Sequence, residues 1–89
     1  MAKAIVDSNE LRKFATALDK YAKELKSSMS GTQGKLTSLS ATWKDKKFDD
    51  FNTSFQTASK TLTPFITEME TFSKYLIGTA EKVDDYDRY

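Results

Sequence analysis

From Phe48 to Leu76 the apolar residues recur in steps that alternate three and four: Phe48, Phe51, Phe55, Ala58, Leu62, Phe65, Met69, Phe72 and Leu76. The register continues through Thr79 to Val83 and Tyr86. This is the a/d seam of a heptad, sustained beyond the ~3–4 repeats that identify such a helix. A strand needs period two, which Phe48-Asp49-Asp50-Phe51 breaks. The spacing predicts one helix over about 46–84, on the order of 60 Å long. Pro64 falls inside it. The ring removes a backbone donor and crowds the carbonyl of Lys60. Leu62 and Phe65 keep the register across it, so the expectation is a kinked helix and not a break.

The first half follows the same rule less evenly. Leu11, Phe14, Leu18, Tyr21 and Leu25 step by three and four, and Leu36, Leu39 and Trp43 resume the spacing. Between them, Lys26 to Lys35 (KSSMSGTQGK) holds little that is large and apolar. Bridging it through Met29 and Thr32 needs consecutive steps of four, a stutter that locally unwinds a supercoil. One continuous helix over about 8–40 is the first reading, because a helical glycine costs only about 1 kcal/mol against alanine. Two shorter helices separated by a Ser/Gly loop over 27–34 are the alternative. Asp7 and Glu10 are spaced to cap the start as a box-like pair.

The join between the halves is short. Trp43 ends the first pattern and Phe48 begins the second, which predicts a turn at about 41–45 and an antiparallel helical hairpin. Thr42 or Asp45 can cap the second helix. The indole is expected to close the apolar end of the hairpin against Leu39 and Phe48. The chain therefore reads as one all-α domain over 1–89: two helices, the turn, and an acidic C-terminal tail at 85–89. The packing or dimer seam comprises Leu11, Phe14, Leu18, Tyr21, Leu25, Phe48, Phe51, Phe55, Leu62, Phe65, Met69, Phe72 and Leu76.

Two helices alone shield such a seam from one side only. A chain of 89 residues gains little beyond the ordering cost of about 1.5 kcal/mol per residue. Small or weakly polar residues flank the second seam: Asn52, Ser59, Ile66, Ser73 and Ala80 on one side, Ser54 and Thr61 on the other. They admit another helix closely. The expected partner is a second copy, or a similar helical-hairpin protein, completing a four-helix bundle.

Composition removes several function classes. With no histidine and no cysteine, zinc sites and thiolate chemistry built on them are excluded, and the commonest general base is missing. No enzyme activity, cofactor or metal is expected. Asp49 and Asp50 face away from the seam and form no catalytic pair. Asp84, Asp85 and Asp87 lack the glycine and the closing glutamate of a calcium loop. Gly31 and Gly34 follow no phosphate-loop pattern. Lys44, Lys46 and Lys47 alternate with acids and read as a solvated turn. A formal net charge of +1 gives no general pull toward nucleic acid or anionic lipid. No stretch reaches the ~20 apolar residues of a membrane span. The opening MAKAIVDSNE carries only Ala4–Val6 as an apolar run, short of a signal-peptide core.

A chain of this length, built as two long amphipathic helices around a Trp-centred turn, resembles the WXG-type (ESAT-like) proteins of type VII secretion. The resemblance covers nearly the whole chain and centres on Trp43-Lys44-Asp45, where Asp45 stands in place of the family's glycine. The family's second signature is a tyrosine followed four residues later by Asp or Glu. Here Tyr75 is followed at that distance by Thr79. Tyr86, Asp87 and Tyr89 in the tail are the candidate export residues. The resemblance implies a small, non-enzymatic, dimeric helical protein, an effector or carrier, with a secretion ATPase or a larger secreted substrate as further partners. It would be exported without a cleavable signal peptide and cytoplasmic before export. An intracellular helical adaptor or chaperone, holding a partner protein against its apolar face, is the alternative.

Overall fold

The computed structural model describes residues 6–87 and contains two helices, α1 over Ser8–Ser40 and α2 over Lys46–Asp87. They fold back on one another as an antiparallel hairpin, 66 × 24 × 14 Å in extent. The fold is all-α, with no strand among the described residues.

Each helix begins on an aspartate. Asp7 Oδ1 accepts from the Asn9 amide at 2.8 Å, and Asp45 Oδ1 accepts from the Lys47 and Phe48 amides at 2.6 and 3.2 Å. These bonds satisfy amides that lack partners in a helix's first turn. Glu10, the expected second member of the first box, lies 3.7 Å from Lys13 Nζ. Thr42 serves the other helix: its hydroxyl donates to the Leu39 carbonyl at 3.4 Å, beside the Ser40 hydroxyl on Thr37 at 2.7 Å. The reversal needs no left-handed residue, since no positive φ occurs among the described residues.

The Ser/Gly segment 27–34 is helical, so α1 is continuous and the two-helix alternative is set aside. α2 likewise continues through Pro64. It runs to Asp87, so 85–87 of the expected tail are helical in backbone.

The contact between the helices is turned from the one the Phe ridge suggests. Its centre is small: Ala15, Ala22 and Ala80 are fully buried. Ser73 is buried too and donates its hydroxyl to the Ala15 carbonyl at 2.7 Å. Leu36, Ile66, Met69 and Leu76 complete the buried set. On α1 the line Ala15, Ala22, Met29, Leu36 repeats every heptad, and on α2 so does Asn52, Ser59, Ile66, Ser73, Ala80. The small residues expected to admit a second copy thus admit α1 itself. The reason is steric, because an alanine or serine lets backbones approach where a phenylalanine holds them apart. Polar bonds pin the register along the length. Arg12 meets Asp84 at 2.6 Å near the open end, and Gln56 donates to Gln33 at 2.7 Å toward the turn.

Candidate functional site

Because small residues occupy the contact, the large ones are displaced to its side. The expected seam divides in two. Leu11, Leu18, Phe48, Phe55 and Leu62 are half-buried, and Met69 and Leu76 fully so. Phe14, Tyr21, Leu25, Phe51, Phe65 and Phe72 stay exposed. Their periodicity explains the split. Phe51, Phe65 and Phe72 lie on one heptad line of α2, and Phe14 and Tyr21 on one line of α1. Both lines flank the contact on the same side. Phe14 and Leu18 meet Phe65, Met69 and Phe72 around an open cleft of about 230 Å³, rimmed by Glu68.

The result is an amphipathic hairpin. One face carries a stripe of half-exposed aromatic rings: Phe14 is 54% exposed, Phe65 53% and Phe72 45%. The opposite face presents Lys26, Ser30, Gln33, Thr63, Thr67 and Glu70. Tyr75 extends the aromatic face, stacked on Phe72 with centroids 5.7 Å apart. Reading the seam alone misses Tyr75, which sits one step of three beyond Phe72 on the outer edge of the stripe. The rings are only partly covered within the chain and leave a contiguous apolar stripe in water.

Trp43 corrects the sequence reading. It stands in the turn, as placed, with its amide bonded to the Leu39 carbonyl at 2.8 Å. Its side chain is 54% exposed and Leu39 beside it 47%. The indole is not sealed within the hairpin, since more than half of it and nearly half of Leu39 stay open to solvent. Asp45, the other turn residue, is the cap of α2 described above. Of the tail residues, Tyr86 is exposed, Asp87 closes α2, and Tyr89 lies outside the described residues.

The described residues contain no cluster of acids that could hold a metal ion. Among the described residues no helix is long and apolar enough to cross a membrane.

The chain matches the family model for WXG100, proteins of 100 residues with WXG, over residues 4–88. Among solved structures, it resembles the secreted protein EsxB of Bacillus anthracis at 24% identity, with a TM-score of 0.78 and coverage of 98% of this chain and 99% of that one. A single-substitution variant of the same EsxB gives a TM-score of 0.81 at 24% identity, covering 96% of each chain. At that identity the likeness is one of fold. A search of curated proteins finds no match.

Proposed function

The chain belongs to the WXG100 family, and on that premise we propose that it is a small, non-enzymatic, secreted helical protein acting as an effector, carrier or partner in a type VII-like secretion system. Its working form is a dimer closed over the aromatic stripe, with a second copy or a similar hairpin completing a four-helix bundle. The observation that carries this reading is the run of exposed Phe14, Tyr21, Phe51, Phe65 and Phe72 on one face of the hairpin. Each half-exposed ring gains about 1 kcal/mol on being covered. A copy supplying the same stripe covers all of them at once, in the self-complementary manner of a two-fold interface. Membership in the family and the printed description of EsxB as secreted support export. A secretion ATPase or a larger secreted protein is the further partner, with Trp43 and the tail residues Tyr86, Asp87 and Tyr89 as the candidate recognition elements.

Sedimentation equilibrium of the purified chain tests the dimer. The expected result is a dimer that Phe72→Ser weakens about tenfold, from about 1.4 kcal/mol of lost apolar contact. A wild-type chain that stays monomeric at high concentration removes the reading. Export is tested separately, by looking for the protein in culture medium with and without residues 83–89. Retention in the cell under every condition, with the dimer intact, leaves the intracellular adaptor in its place.

A further inference from the structure

We propose that the hairpin carries a hinge at mid-length, where the turn of α2 that Pro64 weakens packs beside the start of the thin segment Lys26–Lys35 of α1, and that the turn end bearing Trp43 pivots there relative to a firmly packed open end.

Independent features meet at this level. Pro64 has no amide hydrogen, so the Lys60 carbonyl receives no helical bond, and the ring pushes against it. Around the proline, the hydroxyls of Thr57, Thr61, Thr63 and Thr67 each donate to the carbonyl four residues back, at 3.1, 3.3, 2.7 and 3.3 Å. Such bonds compete with the backbone ladder and bend helices. Across from them, α1 offers Met29 as its one large apolar residue between Lys26 and Lys35, with Gly31 and Gly34 in the same turns. The two weak segments are in register. Met29, Ser30 and Gln33 line one cleft with Ser59, Thr63 and Ile66, and its volume is about 340 Å³.

Packing changes at the same place. Among the described residues, every buried residue of α2, from Ile66 to Ala80, follows Pro64. On α1, Ala15 and Ala22 lie on the packed side of the thin segment, and only Leu36 lies beyond it. The hairpin is thus a close-packed end joined to a lightly packed one through the point where both helices are softest. Bending there works against few contacts: Met29 packs on the buried cluster of Ala22, Ile66 and Met69, and from there toward the turn only Leu36 is buried. The cleft opens on the face opposite the Phe stripe, so a second copy on that stripe leaves it uncovered. The device would set how the half-exposed Trp43 and its neighbouring lysines are presented to a partner.

Residual dipolar couplings of the backbone amides in a weakly aligned sample of the full chain test the proposal. Couplings from residues 34–58 and from 8–25 together with 66–84 are expected to need two alignment tensors, the turn end's the weaker, while each half fits a rigid helix pair. Pro64→Ala restores a donor to the Lys60 carbonyl. It should bring both halves onto one tensor and slow amide exchange around the site about tenfold. Gly31→Ala with Gly34→Ala stiffens α1 and should shift the turn end the same way, by less. A single tensor for the wild-type chain overturns the proposal. So does a turn end whose own couplings average toward zero, which is local unfolding and not pivoting. Two tensors that persist in Pro64→Ala overturn it as well. None of these outcomes depends on export.

Discussion

The two ends of this hairpin are held by different physics. At the open end, Ala15, Ala22, Ser73 and Ala80 let the backbones close up, and Ile66, Met69 and Leu76 fill the space beside them. At the turn end Leu36 is the one buried residue, and order comes from polar bonds: local ones at the Asp45 cap and the Ser40 and Thr42 hydroxyls, and the Gln33–Gln56 bridge between the helices. Tertiary packing supplies most helical stability in proteins, and local interactions alone leave a helix marginal. The lesson is that an unbroken helix need not be a uniformly stable one.

The sharpest way to break this contrast is to overfill the packed end. Ala22→Leu forces new methyl groups into a fully buried site and should destabilise by about 2–3 kcal/mol. The same change at exposed Ala58 should move the denaturant midpoint hardly at all. Equal shifts at both sites would erase the distinction. Gly31→Ala combined with Gly34→Ala acts in the opposite sense. A Cβ at either meets nothing within 4 Å, so the pair should stabilise by about 1–2 kcal/mol in total, read as a higher melting temperature. Asp45→Ala removes the acceptor for two amides and should cost about 1 kcal/mol. Its mark is faster amide exchange over 46–50, with 66–80 unchanged. Exchange that speeds up equally at both ends would mean that the hairpin opens as one unit.

The smallest effect concerns pH. The hydrogen bond from Lys23 to Asp19, and then the charge of that carboxylate, hold the Lys23 ammonium above its ordinary value. A raised folded-state value means that any stabilisation is complete below the unfolded lysine value and fades as pH rises through the folded one. The group is fully exposed, so wild type and Lys23→Met should melt almost together near neutrality, and whatever small excess the wild type shows should vanish as the pH rises into strong alkali. A large difference near neutrality would show that the pair does more than decorate the surface.

Much of the fold was legible from spacing and caps. The seam from Phe48 to Leu76 specified α2, Asp7 marked the first helix start, Thr42 and Asp45 were both open as the second, and the short join required antiparallel helices. These are local signals, carried by side-chain type at fixed separation. Three features were less legible. Segment 27–34 left helix and loop both open, because two glycines weaken a helix without forbidding it. Trp43 kept the helical spacing from Leu39 yet fell outside α1, since helix termination at Ser40 depends on the bonds of the turn. The mating face was the largest difference. A 3-4 pattern marks a broad apolar stripe, and a broad stripe can serve two interfaces at once. Phe14, Phe65 and Phe72 therefore belonged to the stripe without belonging to the contact.

By itself the sequence determined that this chain makes long helices, where each begins, and that they reverse at Trp43-Lys44-Asp45. Periodicity and capping are properties of one strand of chain, readable without knowing what lies across from it. Only the tertiary structure decided which line of the stripe is covered. That choice turns on how closely two backbones approach, and alanine and serine permit an approach that phenylalanine prevents. The rings were left half in water, facing outward.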